Sequence, residues 1–197
     1  MDKKDVIKIT LDLIKEKKLE KSSIGEIVKR LESSPGNLYY HFRSKNEIYK
    51  EAADYSMTEI IKSLETVKFE KNNQDYLFEL TEALIKFLEE KVEILFFLII
   101  MKGSSYLENE LNSERFLTIF SNTLLHKNHE KEYGKFAVLK LNMFLGSIYE
   151  VLYTNKLLNN KNLSKEEIEE ICMTFWGKRI SENYDIYVQN DLKVGLL

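Results

Sequence analysis

The chain has 197 residues, 44% of them apolar, and its 29 Lys and Arg against 32 Asp and Glu give a formal net charge of −3. That is enough apolar material for one large helical body with a small appended domain, and too much for a disordered chain. The single cysteine, Cys172, excludes an intrachain disulfide framework and fits a reducing, cytoplasmic compartment. The longest charge-free apolar run, Ile94 to Met101, falls far short of the roughly 20 residues that span a bilayer, so no membrane insertion is expected.

Charge is unevenly placed. Residues 1–50 hold 12 Lys and Arg against 8 Asp and Glu, a balance of +4, whereas residues 51–197 hold 17 against 24, a balance of −7. A basic head on an acidic body is the pattern of a chain that grips phosphates with one end only.

In chain order, Val6, Thr10, Leu13 and Ile14 predict a first helix near 3–18 with one face on a small core. Ser23 offers an N-cap, and Glu26 stands at capping-box distance from it. The apolar positions Ile24, Ile27, Val28 and Leu31 then predict a short helix over 24–31. Glu32-Ser33 reads as a tight turn. Ser34-Pro35 then opens another helix: the serine hydroxyl can accept a free backbone N–H, and proline suits a position whose own N–H has no helical partner. Two short helices across a tight turn make a helix-turn-helix, whose second helix enters the major groove. Large rings crowd Tyr39, Tyr40, His41 and Phe42, more than one short helix buries on a single face, so some must look outward. Leu38 and Phe42 are the core pair. Asn37 can pair with adenine and Gly36 allows close backbone approach, while Tyr39 is left open between packing on the first helix and touching a base.

Ile27-Val28-Lys29-Arg30-Leu31, followed by Ser34-Pro35-Gly36-Asn37-Leu38-Tyr39-Tyr40-His41-Phe42-Arg43-Ser44-Lys45-Asn46-Glu47-Ile48, resembles the DNA-binding signature of the tetracycline-repressor-like (TetR) family of transcriptional regulators. The resemblance covers roughly residues 5–50. It implies an all-α protein, with a three-helix helix-turn-helix DNA-binding domain over 1–47 and a helical ligand-binding and dimerisation domain over 48–197. It also implies that the positions matching Tyr40, His41 and Lys45 hold backbone phosphates. With Ser23, Ser34, Pro35, Gly36, Asn37 and Tyr39 they form the expected contact set for double-stranded operator DNA. The chain departs from the family pattern in two places: Glu32 and Ser33 stand where a glycine and an apolar residue are common, and Lys18 where a helix-ending glycine is often found.

Ser44 caps a fourth helix that runs with Ile48, Ala52, Tyr55 and Ile60 to about residue 66. Polar punctuation then divides the body into helices near 73–90, 91–102, 108–126, 131–156 and 164–183, the last opened by a capping box at Ser164-Lys165-Glu166-Glu167, with a loosely held tail over the final dozen residues. The stripes carrying Phe144, Ile148, Val151 and Leu152 and carrying Ile168, Cys172, Phe175 and Trp176 read either as intramolecular core or, as the resemblance favours, as the interface of a homodimer. Phe87, Phe97, Met101, Tyr106, Phe116, Phe120, Met143 and Tyr149 read as core or as the lining of a pocket for a small-molecule effector, which the resemblance makes apolar or aromatic and of unknown identity.

No enzyme can be assembled from these residues, and no cofactor or metal is expected. His126-x-x-His129 beside Glu130 lacks partner cysteines and reads as a surface cluster, and Cys172 on an apolar face reads as a small buried hydrophobe. The expected function is a ligand-released repressor on a pseudo-palindromic operator; the alternative is a helical ligand- or partner-binding dimer with a degenerate head.

Overall fold

The computed structural model describes residues 2–68, 73–106, 116, 118–120 and 137–177. The predicted helix near 108–126 lies outside them except for Phe116 and residues 118–120, which are helical; His126, His129, Glu130 and the tail also lie outside. The described residues form helices and connections, with no strand among them. The elements are α1 (Lys3–Lys21), α2 (Ile24–Arg30), α3 (Pro35–His41), α4 (Lys45–Glu65), α5 (Asn73–Glu90), α6 (Val92–Met101), α7 (Ala137–Leu152), a π-helical turn (Tyr153–Leu158) and α8 (Lys165–Trp176).

Capping sets most of the starts. Asp2 and Asp5 form a reciprocal capping box at the start of α1, and Ser164 and Glu167 form the predicted one at α8. Ser23 accepts the Glu26 N–H, but Glu26 does not complete a box, because its carboxylate pairs instead with Lys17 of α1. That bond holds the Glu26 carboxyl below its ordinary value. Arg30 of α2 grips Glu16 with both terminal nitrogens, at 3.0 and 2.6 Å. Two ion pairs therefore fasten α1 to α2 on the outside while Ile14 and Ile27 are fully buried on the inside.

α6 is apolar around its whole circumference, which places it centrally. It packs on α1, α4, α5 and the π-helical turn. Ile94, Leu95, Phe97, Leu98 and Met101 are buried, and Phe96, Ile99 and Ile100 are partly so. One continuous core runs from Val6 and Leu38 at one end to Phe144 and Trp176 at the other. The expected domain border at 47/48 falls in the first turn of α4, a helix whose buried face, from Ile48 to Leu64, belongs to that core throughout.

α7 passes at Leu152 into the wider π-helical turn, where Asn155 donates to the Val151 carbonyl at 3.1 Å and Asn159 to that of Thr154 at 2.9 Å. Asn160, at φ 50°, turns the chain towards α8. The buried Glu89 carboxylate on α5 accepts the Leu163 N–H at 2.6 Å and so ties this connection down. Burial raises the Glu89 carboxyl above its ordinary value, with the Leu163 bond and Lys156 opposing.

Both departures from the family pattern fall on left-handed backbone. Lys18 has φ 62° and ψ 167° and kinks α1 near its end, and Glu32 has φ 50° in the turn between α2 and α3. Lys18 occupies a region reserved almost wholly for glycine, where another residue costs of order 1–3 kcal/mol. Lys18→Gly is expected to stabilise the protein by about 1 kcal/mol after the larger unfolded-state entropy of glycine is counted. A rise of the thermal unfolding midpoint by several degrees checks this, and an unchanged or lower midpoint contradicts it.

Candidate nucleic-acid interface

α3 is seven residues long and reaches the core through Leu38 and Phe42, both completely buried. Their four-residue spacing puts them on one face, so the remaining side chains must point elsewhere. Tyr40 is 84% and Tyr39 52% exposed; Ser34, Pro35, Gly36 and Asn37 are exposed, and His41 is half-buried with its ring set edge-on to Tyr40 at 5.1 Å. The open reading of Tyr39 thus goes to an outward ring.

The backbone of α3 is fixed by its own start. The Ser34 hydroxyl accepts the Asn37 N–H at 3.2 Å, Pro35 occupies the first turn, and the Asn37 side-chain amide donates to the Ser33 hydroxyl at 3.1 Å. Ser33 thus uses its polar side chain at a position where the family commonly has an apolar one. Gly36 is exposed, and a Cβ built there would meet only the Ser34 Oγ, at 4.0 Å. Nothing in the fold crowds this position.

Two further groups flank α3. Ser23, exposed, caps α2. Lys45 begins α4, after Ser44 has accepted the Glu47 N–H at 3.1 Å and Glu47 has accepted the Arg43 N–H at 2.6 Å. The Lys45 ammonium stands over the Tyr49 ring, 5.1 Å from its centre. Ser23, the start of α3, Tyr40 and Lys45 therefore come from three consecutive helices and their caps, with hydroxyl, amide, phenol and ammonium groups suited to phosphate oxygens and base edges.

Of the body residues read as core or pocket lining, several take the core alternative. Phe97, Met101, Phe116 and Phe120 are buried, and Phe116 and Phe120 pack ring against ring at 5.5 Å, as core does. Phe87 and Tyr149 are half-buried, and burial pushes the Tyr149 phenol well above its ordinary value. Met143, 59% exposed, points out of the bundle and cannot line an interior pocket from there. Tyr106 is half-buried and packed against the core, and its hydroxyl donates to Asn46 Oδ1 on α4 at 2.7 Å. A groove of about 260 Å³ between α5 and α8, bordered by Phe78, Glu82, Lys86 and Cys172, contains none of the expected pocket residues.

Six of the eight expected dimer residues, Phe144, Ile148, Leu152, Ile168, Cys172 and Trp176, are buried inside the single chain. Phe144 packs against Phe120, Phe175 and Trp176, and the Trp176 indole N–H donates to Thr81 Oγ1 of α5 at 2.9 Å. Val151 and Phe175 are half-buried. Among the described residues, the large apolar side chains exposed on this part of the body are Leu139 and Met143 on α7, Tyr153 and Leu158 on the π-helical turn and Met173 on α8. Periodicity selects the inward stripe because α7 is apolar on both faces; the outward one shows only once α5 is seen covering the inward one. Among the described residues there is no cluster of His, Cys, Asp and Glu able to hold a metal, and no helix long and apolar enough to cross a membrane.

Residues 6–52 match the family of bacterial regulatory proteins, tetR family. The whole fold is similar to that of a TetR family transcription regulator from Marinobacter aquaeolei VT8, at a TM-score of 0.72 and 18% identity over 88% of this chain and 93% of that one. Residues 6–52 thus carry the tetR-family domain, and the chain as a whole shares the fold of such regulators. A transcriptional regulator from Rhodococcus sp. Rha1 is equally similar, with a TM-score of 0.72 and 18% identity over 90% of this chain and 95% of that one. A fatty acid degradation regulator from Bacillus halodurans has a TM-score of 0.71 and 14% identity over 88% and 94%. No curated protein sequence matches significantly. The match over residues 6–52 contains α2, α3 and the first turns of α4, the elements that carry the exposed set.

Because nothing in the fold crowds Gly36, Gly36→Ala is expected to leave the fold intact, and even to stabilise α3 by about 0.5 kcal/mol. It should weaken DNA binding about tenfold or more, within the range of a single base-edge interaction. Denaturant unfolding and DNA-binding isotherms on the same preparation check the two halves. A variant that binds as tightly as the parent contradicts the placement of Gly36 at the groove.

Proposed function

We propose that the protein is a cytoplasmic, homodimeric repressor that is released from a pseudo-palindromic operator when a small apolar or aromatic molecule binds its body. The observation that carries the reading is the exposed set of α3, held rigidly by Leu38, Phe42 and the Ser34 cap, between the capping hydroxyl of Ser23 and the ammonium of Lys45. Asn37 and the bare backbone at Gly36 read base edges; Tyr40, His41 and Lys45 hold phosphates and set register. A head of +4 attracts DNA while a body of −7 keeps away from it.

A seven-residue helix reads few base pairs, and a two-fold pair of heads doubles the site and makes it palindromic. The outward apolar residues Leu139, Met143, Tyr153, Leu158 and Met173 support a second copy of this chain as the partner, since exposed large apolar side chains offer area for a contact to bury. Residues buried within the protomer, Trp176 and Phe144 among them, then support that surface from behind. The rings around α6 and α7 favour an apolar or aromatic effector, and the similarity in fold to a fatty acid degradation regulator agrees with that choice. Release requires the effector to prefer the non-binding arrangement by several kcal/mol, and operator DNA must weaken effector binding by the same factor.

Fluorescence anisotropy on DNA from upstream of the gene, at two salt concentrations and beside shuffled DNA, tests the reading. Selective binding is expected, with log K falling against log salt by about 0.9 for each phosphate held. Tyr40→Ala with Lys45→Ala should flatten that slope while the protein stays folded. Failure to prefer any sequence, in upstream DNA and in a random-sequence selection alike, would leave a helical dimer with a degenerate head.

A further inference from the structure

Tyr106, expected in the pocket, sits instead at the junction of body and head. It follows α6 by a short connection in which Gly103 has φ 78°, and its hydroxyl donates to Asn46 Oδ1 in the first turn of α4. Its ring meets the ring of Tyr49 edge-on at 5.7 Å. Tyr49 is buried, with its hydroxyl 3.0 Å from the Ser22 Oγ. Ser22 donates its own proton to the Leu19 carbonyl at 2.9 Å, so the Tyr49 hydroxyl is the donor to Ser22. The face of the same Tyr49 ring carries the Lys45 ammonium.

The two tyrosines thus link the corner between α1 and α2, the start of α4 and the end of α6. Ser22 is the residue before Ser23, and Asn46 the residue after Lys45, so each anchor is one position from a member of the proposed DNA-contact set. We propose that Tyr49 and Tyr106 are positioning residues for DNA binding: they fix the separation of the two flanking DNA-contact groups at Ser23 and Lys45, and they refer that separation to the end of α6. Neither tyrosine touches DNA. Tyr49 orients Lys45 by offering its ring face to the ammonium, a geometry that favours the cation. Tyr106 steadies the Tyr49 ring from the side and holds Asn46 directly. This assignment rests on the DNA-binding reading and adds to it the residues that set the geometry of the grip.

Tyr106→Phe deletes the bond to Asn46 while keeping the ring, and Asn46→Ala deletes it from the other side. Both are expected to remain folded by circular dichroism and to bind a duplex selected by the parent protein roughly three- to tenfold more weakly. The salt dependence of log K should be shallower by about 0.9 for each phosphate the variant no longer holds, with the base preference unchanged. A merely structural role would move neither the salt slope nor the next quantity: in a Lys45→Ala background, Tyr106→Phe should cost nothing further. Full additivity with Lys45→Ala, or a parent-like slope in both single variants, overturns the assignment. The parent protein separates the two levels, because parent binding with indifferent variants removes only this proposal, whereas a parent with no sequence preference removes the DNA-binding reading and this proposal with it.

Discussion

Leu38 and Phe42 are the two side chains by which α3 is held, and most of the molecule's functional surface follows from there being only two. A helix of two turns offers a single apolar stripe to a core, and here that stripe is filled by Leu38 and, four positions on, by the C-cap Phe42. Apart from the half-buried His41, the other side chains of α3 face outward, including Tyr40 with hardly any cover at all. An exposed large ring with so little intramolecular packing gains the fold little, and exposure of that kind on a rigid element is what a partner surface requires. The Ser34 cap and the left-handed Glu32 complete the constraint by fixing where α3 starts and how it leaves α2.

Rigidity of the head depends as much on what lies behind α3 as on α3 itself. α1 is fastened to α2 by Glu16–Arg30 and Lys17–Glu26 on the outer side, and to α6 by apolar contact on the inner side. Those ion pairs are exposed, so their value lies in geometry more than in stability. They also use up cations that would otherwise add to the basic surface: Arg30 and Lys17 are committed to carboxylates. The apolar α6 then makes head and body continuous, with the same buried chain of side chains running from Val6 to Trp176.

Local chemistry is readable from the sequence where a few neighbouring residues decide the outcome. The caps at Ser23, Ser34, Ser44 and Ser164 stand where hydroxyl spacing puts them, and Lys18 and Glu32, both standing where glycine is common, are both at positive φ. Legibility stops where a distant partner intervenes. Glu26 has capping-box spacing, yet Lys17 takes its carboxylate. Tyr106 reads as one more aromatic of the bundle until its bond to Asn46, sixty residues away, is seen. α7 has apolar residues on both faces, and periodicity cannot say which face an intramolecular helix will cover: Phe144, open between core and dimer interface in the sequence, is buried, and Met143, read as core or pocket lining, faces outward.

Hydrogen exchange, followed by mass spectrometry on the protein with and without a duplex obtained by random-sequence selection, tests the central claim most directly. The account predicts slowed exchange concentrated at the start of α2, along α3 and in the first turn of α4, with the outward face of α7 and α8 unaffected. Protection confined to α7 and α8, or none along α3, would contradict it.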